Sequence, residues 1–379
     1  MKIGLDLKIL WYPLTGMGRA AYELAKLLPY QGKNHDFFYL FNQRNIKDIT
    51  GAENVKSIII TNKNFHGKTG VLRRIWAEQV LMARAINRYN LDLLHVPAYC
   101  GPVFNKKKLV ISIYDLAFLH FPKNLKTGAY YYWKTFLSMN IKRCERIIVC
   151  SQATKRDVMK FFRIRTEKID VIPLGLNTKR FFPLRDENKT REIKQKYKLP
   201  ENFILFVGTL EPRKNLSLLV KAYGLLPDDL KRRYSLFIIG AKGWKYSSIF
   251  QLIKELGLTE KIIFPGRVSD EELRGVYSAA TLLAFPSLYE GFGLPVLEAM
   301  ACHTPVLTSN ISSLPEVAGE AAYLVNPLSE TEISKGLQKL LESKDLREAL
   351  KQKGIQRVQE FSWERTTQET LKAYTKCLS

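Results

Sequence analysis

Strand and helix patterns that alternate through two successive series predict an α/β chain: two doubly wound, Rossmann-like domains facing each other across a cleft. Three observations carry this. Short apolar runs of strand length alternate with amphipathic helical stretches in both halves. A polar, charged stretch at 178–200, TKRFFPLRDENKTREIKQKYKLP, separates the two series. The length, 379 residues, fits two or three ordinary domains. The expected boundaries are a first domain over 1–177, a linker over 178–200 and a second domain over 201–360. A C-terminal helix over 361–379 is expected to pack back toward the first domain.

The chain opens with an alternating strand at 2–10. TGMGRAAYELAKLL follows, a helix with Gly16 and Gly18 at its start. Segments 37–41 and 55–60 read as strands, and 71–89 as a basic amphipathic helix. Strands follow at 91–96, ending at His95 and Pro97, and at 109–113, ending at Tyr114 and Asp115. Segment 125–144 is a helix with an aromatic cluster, Tyr130 to Trp133, and 146–150 and 169–172 are short strands. Gly16, His95, Tyr114, Asp115 and Ser151 all fall at strand ends, where open parallel sheets hold their ligands. Beyond the linker, strands are expected at 203–207, 234–239, 262–265, 281–286 and 322–325, with a helix at 216–225 and lysine-, glutamate- and leucine-rich helices to the end.

Composition narrows the class. Apolar residues make up 46% and charged residues 25%, ordinary for a globular chain. No window approaches the ~18 uninterrupted apolar residues of a membrane span. The N-terminus mixes acid and base into its apolar run, unlike a signal peptide, so a cytoplasmic location is expected. The five cysteines include no CxxC pair, which indicates neither a disulfide framework nor a zinc site. Fifty-nine Lys and Arg against thirty-six Asp and Glu give +23, an excess that favours phosphates, nucleic acid or an anionic membrane face.

The stretch Thr281 to Val306, TLLAFPSLYEGFGLPVLEAMACHTPV, holds the densest chemistry. It reads as strand, loop and helix. Gly291 and Gly293 let backbone approach a ligand, and Pro295 suits a first helical turn. Glu290 lies on the loop and Glu298 one turn into the helix. A helix start attracts phosphate, and carboxylates accept hydrogen bonds from sugar or ribose hydroxyls. Upstream, Gly208 and Thr209 follow a strand, and Arg213 and Lys214 place cations where a diphosphate would sit. Arg267, at a further strand end, could line a base pocket. Taken singly these are surface residues; together they suit a nucleotide sugar.

These residues resemble the retaining glycosyltransferases of family 4, which have the GT-B fold. EGFGLPVLEAMA matches the family's E-x7-E signature at Glu290 and Glu298. FVGTLEPRKNLSLLVKAY matches its donor-phosphate segment and VIPLGLNTKRFFP its inter-domain segment. HVP, TGMGR and SSLPEVAGEAAYLVNP match others, in order along nearly the whole chain. The resemblance implies an acceptor-binding first domain and a second that binds the nucleotide sugar. It implies that Arg213 and Lys214 neutralise the diphosphate and that Glu290 holds hydroxyls of the transferred sugar. Phe292, Gly293 and Leu294 would offer backbone N–H groups, and Glu298 would bind ribose hydroxyls. Gly16 and Gly18, with Asp115, would shape the acceptor side. No metal or other cofactor is implied. The wording around the signature points first to GDP-mannose, then to UDP-sugars, with a saccharide or lipid-linked acceptor in cell-surface polysaccharide synthesis.

One departure stands out. Tyr114-Asp115 replaces the family's His-Asp, so either Tyr114 acts as a neutral donor, or His120 takes part, or neither is needed. The bases and aromatics Arg73, Arg74, Trp76, Tyr131, Tyr132, Trp133 and Lys134 suit an anionic membrane surface at the inner face of the cell membrane. Two other classes compete. GMGRAA resembles the GxGxxA of NAD enzymes, but five residues intervene after the strand and no acid follows the second strand. The charge could serve nucleic acid, but no nucleic-acid-binding pattern accompanies it.

Overall fold

The computed structural model describes residues 1–11, 16–42, 49, 51–61, 70–125, 127–241, 247–266, 268–269 and 271–377. It forms two compact units, Met1–Gly175 with Ser362–Ser379, and Leu176–Phe361.

The first unit is built on seven strands: β1 (Lys2–Asp6), β2 (Asp36–Asn42), β3 (Val55–Thr61), β4 (Leu93–Val96), β5 (Lys108–Ile113), β6 (Arg146–Val149) and β7 (Ile169–Val171). Their order is β3-β2-β1-β4-β5-β6-β7, and every neighbouring pair is parallel. Helices cover the sheet, so its strands are nearly unbroken apolar runs. The strand order reverses between β1 and β4, which puts the ligand crevice of such a sheet beyond Asp6 and Val96.

The second unit repeats the scheme with β8 (Phe203–Val207), β9 (Ser235–Ile239), β10 (Ile262–Ile263), β11 (Leu282–Phe285), β12 (Val306–Ser309) and β13 (Tyr323–Val325). The order is β10-β9-β8-β11-β12-β13, again parallel throughout. Here the reversal falls between β8 and β11. The segments that leave these two strands carry Arg213 and Lys214 on one side and Glu290 on the other.

Several elements differ from expectation. β1 stops at Asp6, because the Lys8 N–H donates to Asp6 Oδ1 at 3.1 Å and starts a 3-10 turn, Lys8–Trp11. The basic helix is interrupted: Gly70–Trp76 and Met82–Arg88 flank a π-helical segment, Ala77–Leu81, which buries Glu78. The stretch 178–200 is not a free linker. Its charged sequence forms the helix Glu187–Tyr197, capped where Asp186 accepts from the Lys189 N–H at 3.1 Å. Ile193 is its one buried residue, and Lys196 and Tyr197 donate to Glu272 at 2.7 and 2.6 Å. The helix therefore belongs to the second unit. β12 was not expected, since VLTS is too short to stand out as a strand.

The C-terminal helix Trp363–Lys376 packs on the first unit. Thr366 donates to the Pro173 carbonyl at 2.8 Å, and Tyr374 Oη lies 2.6 Å from His95 Nδ1. His95 is fully buried, with Nε2 2.8 Å from Ser112 Oγ. It is therefore an interior clasp between β4 and this helix, not a crevice residue. Ser151 serves the fold too, capping the helix Gln152–Phe162 through the Thr154 N–H at 3.0 Å.

Burial lowers the His95 pKa to about 3. The fold thus keeps the neutral ring, while the unfolded chain takes up a proton below about 6.5. This contribution is fully present above 6.5 and declines as pH falls toward 3, by roughly 1.4 kcal/mol per pH unit. Unfolding midpoints measured across this range should drop with acidity, and His95→Gln should flatten the acid limb. An unchanged limb in the variant would remove His95 from the account.

Candidate functional site

The site of the second unit is assembled by two loops stapled together. β8 leads into Gly208, whose N–H donates to the Ile239 carbonyl at 2.9 Å. At the end of β9, Gly240 lets this exit pass: a Cβ there would stand 1.9 Å from Gly208 O. Thr209 is exposed. A 3-10 turn, Pro212–Lys214, ends at Asn215 with φ 62°. The Asn215 amide then donates to the carbonyls of Pro286 (3.0 Å) and Pro327 (2.7 Å). From the β11 side, the Leu288 N–H donates to Arg213 O at 2.8 Å.

This lacing brings two cations onto one carboxylate. Lys214 Nζ lies 2.6 Å from Glu290 Oε1 and Arg213 Nη1 3.0 Å from Glu290 Oε2. Lys214 and Glu290 are 8% and 7% exposed. Ser287 Oγ lies 2.7 Å from Glu290 Oε1 and 2.9 Å from Arg213 O. The Lys214 ammonium sits 5.1 Å from the Phe285 ring centre, and Glu211 takes the outer side of Arg213 at 2.7 Å. Burial alone would raise the Glu290 pKa, but Lys214 and Arg213 overcome it and hold the carboxyl below its usual range. Burial lowers the Lys214 pKa, with Glu290 offsetting only part.

The loop beyond Glu290 is fixed by serines that follow β12. Ser312 Oγ donates to Glu290 O at 2.6 Å and accepts from the Glu290 N–H at 3.1 Å. Ser313 Oγ reaches Glu290 O at 2.9 Å and Phe292 O at 2.7 Å. Gly291 and Phe292 are buried, and Gly293 has φ 113°. The helix Leu294–Ala301 starts there without a side-chain cap, with Pro295 in its first turn. Among the described residues, the N–H groups of Phe292, Gly293 and Leu294 donate to no protein group. Uncapped N–H groups at a helix start form an anion site. Glu298 is buried one turn later and accepts from Tyr277 Oη at 2.9 Å. Arg267 lies outside the described residues.

The first unit places its expected residues differently. Gly16 and Gly18 stand within the first turn of the helix Gly16–Gln31, with Gly16 exposed and Gly18 buried. Asp115 accepts from Tyr99 Oη at 2.7 Å and from the Ala117 N–H at 3.0 Å. Tyr114 is a correction. Its side chain is buried, and among the described residues its hydroxyl has no partner in hydrogen-bonding geometry. Burial raises its pKa above the usual range, only partly offset by Ser112. The buried hydroxyl presents no donor at the surface of the sheet edge. His120 is tied to Asp157 at 2.9 Å and stacks edge-on with Phe161.

Two groups escaped the sequence. One is the serine pair Ser312 and Ser313. The other fills the switch point of the first unit: Asp6, Lys8 and Glu78, all buried. Lys8 Nζ lies 2.8 Å from Asp6 Oδ2 and 3.4 Å from Glu78 Oε1, and Arg74 Nε 2.8 Å from Glu78 Oε1. Burial raises the Asp6 pKa despite Lys8. At Glu78, Lys8 and Arg74 outweigh burial and lower it. The acid and base inside the first apolar run were the available signal.

The chain is similar to known proteins along its whole length. The family model described as "Glycosyltransferase Family 4" matches residues 14–180, and that described as "Glycosyl transferases group 1" matches 188–357. The chain is 31% identical over 384 residues to O-antigen chain mannosyltransferase B of Escherichia coli, covering 99% of each chain. It is 33% identical over 256 residues to the MMP alpha-(1->4)-mannosyltransferase of Mycolicibacterium hassiacum, covering 65% of this chain and 58% of the relative. Sucrose-phosphate synthase from Thermosynechococcus elongatus has the same fold, with a TM-score of 0.78 at 20% identity over 100% of this chain and 99% of the other.

The loop geometry makes a direct prediction. At Gly293 an added Cβ would stand 2.7 Å from Leu314 Cδ2, in a backbone conformation closed to side chains. Gly293→Ala should destabilise the second unit by about 1–3 kcal/mol, read from denaturant unfolding. Unchanged stability would show that the loop is not held as described.

Proposed function

Because this chain belongs to glycosyltransferase family 4, with the GT-B fold and glycosyl transfer as its activity, we propose that it transfers mannose from GDP-mannose to a saccharide or lipid-linked acceptor. The reaction retains anomeric configuration, needs no metal, and serves cell-surface polysaccharide synthesis at the inner face of the membrane. One observation carries the reading: Arg213 and Lys214 converge on Glu290 at the β8/β11 switch point, beside uncapped N–H groups. The mannosyl donor is supported by the activities of the two relatives named above. Membership in the family favours glycosyl transfer over the NAD and nucleic-acid readings of GMGRAA and of the basic surface.

The chemistry follows from charge. As the bond between the anomeric carbon and the diphosphate oxygen loosens, negative charge grows on the leaving group and positive charge on the sugar. Arg213, Lys214 and the N–H groups of Phe292, Gly293 and Leu294 stabilise the former from fixed positions. The acceptor oxygen then bonds to the anomeric carbon on the face the diphosphate leaves. Its proton passes to the departing phosphate oxygen, so retention needs no covalent enzyme intermediate. Glu290 keeps the two cations in place and accepts from sugar hydroxyls, and Glu298 accepts from the ribose.

The test is titration calorimetry against GDP-mannose and a panel of UDP-sugars, followed by transfer assays. GDP-mannose should bind tightest, and Glu298→Ala should weaken it without abolishing transfer. Arg213→Ala with Lys214→Ala should lower turnover by at least ~10²–10³. Wild-type turnover in that double variant would contradict the assignment, and tighter binding of a UDP-sugar would replace the donor.

A further inference from the structure

We infer that Arg357 and Phe361 are positioning residues for the glycine loop 291–294, aiming the N–H groups that meet the diphosphate. This deepens the proposed function and rests on it for the diphosphate. It names two residues far along the chain that act through others and touch no ligand. The starting point is Phe292. Peptide units are rigid planes, so turning about the backbone dihedrals of Phe292 swings the N–H groups of Phe292 and Gly293. Whatever fixes Phe292 therefore fixes their aim. Ser313 holds its carbonyl at 2.7 Å. Its side chain, in a residue 6% exposed, meets Phe361 edge-to-face, with centroids 5.7 Å apart and planes at 77°. Aromatic pairs prefer this geometry.

Phe361 is held in turn. Its N–H donates to Val358 O at 3.2 Å, and its carbonyl accepts from the Leu176 N–H at 3.1 Å. The Arg357 guanidinium carbon lies 5.0 Å from the Phe361 ring centre, within cation–π range. That guanidinium is spread over three acceptors. Nε donates to Val317 O at 3.0 Å, Nη2 to Glu316 O at 2.5 Å and Nη1 to Glu360 Oε2 at 2.6 Å. Glu316 and Val317 belong to the short helix Leu314–Ala318, which follows directly on Ser313. The contacts close a circuit: Phe292 to Ser313, along this helix to Arg357, across to Phe361 and back to Phe292. The same helix backs the loop from inside, since Leu314 leaves no room for a side chain at Gly293. The helix that ends in Arg357, Lys344–Arg357, lies against the helix Leu294–Ala301. Gly354 allows the approach, because a Cβ there would stand 3.1 Å from Met300 Cγ. A cap on the end of a short helix would account for Arg357 alone. The Phe361 contact is what carries its hold on to Phe292.

The experiment compares two variants of the full chain with the wild type. Phe361→Leu keeps apolar volume and loses the aromatic edge. Arg357→Lys keeps a charge near Phe361 but loses the planar fork that bridges two carbonyls and a carboxylate. Affinity for GDP is read by calorimetry and affinity for guanosine, which lacks the diphosphate, by NMR titration. Each variant should bind GDP at least about fivefold more weakly while guanosine binding stays as in the wild type. Turnover at saturating donor should fall at least about tenfold, and Phe361→Tyr, which restores a ring, should recover most of both. Circular dichroism melts identify folded variants, and if Phe361→Leu fails to fold, Arg357→Lys carries the test. Unchanged GDP affinity and turnover in a folded variant overturn the proposal. Equal losses for GDP and guanosine also overturn it, because they mark a general loosening of the unit. A wild type that prefers UDP to GDP replaces the donor and leaves this comparison to be made with UDP and uridine, so the two failures are distinct.

Discussion

The contact between Lys214 and Glu290, 2.6 Å long and almost out of water, is what the second unit is arranged to hold. Buried ion pairs add little net stability, because desolvation takes back most of the attraction. Their geometry has to be imposed, and here loops on both sides impose it. Asn215 pins the end of the cationic turn to two proline carbonyls, and Ser287 and Leu288 hold the Arg213 carbonyl. Ser312 and Ser313 fix the backbone at Glu290. The result is positive charge locked in place before any ligand arrives, and fixed charge in a dry site acts on a leaving diphosphate without reorganisation.

The sheet explains why this can occur at one place only in the unit. Parallel strands send all their exits to one edge, and the reversal of order between β8 and β11 opens a gap where neighbouring loops diverge. The cationic turn follows one of these strands and the acidic glycine loop the other. The first unit has the same reversal between β1 and β4, but Asp6, Lys8 and Glu78 fill it with a buried ion-paired cluster. Two sheets of one design thus differ in what their chain places at the gap: two cations on one carboxylate beside an uncapped helix start in one, an internal salt-bridge group in the other.

The two sheets could be read from the sequence because buried parallel strands are unbroken apolar runs, and FILFV or LVISI admit little else. Glu290, Arg213 and Lys214 were legible as loop residues at strand ends. Their mutual contact was not, since it joins positions 76 apart through a strand order that spacing does not reveal. The helix Glu187–Tyr197 reads as a linker in the sequence because a helix that buries only Ile193 has the composition of solvated coil. Tyr114 was placed by its position after β5, but the direction of a side chain at a strand end depends on the packing of a helix from the far end of the chain. The serines after β12 carry no motif of their own, and only the folded register sets them against Glu290.

A double-mutant cycle in donor affinity tests the central claim most directly, with Lys214→Met, Glu290→Gln and the pair measured by calorimetry against GDP-mannose. If the buried pair acts as one unit, the two losses will be non-additive, with a coupling of about 0.5–3 kcal/mol. Strictly additive losses would mean that the two side chains meet the donor independently, and the account of a prelocked charge site would fall.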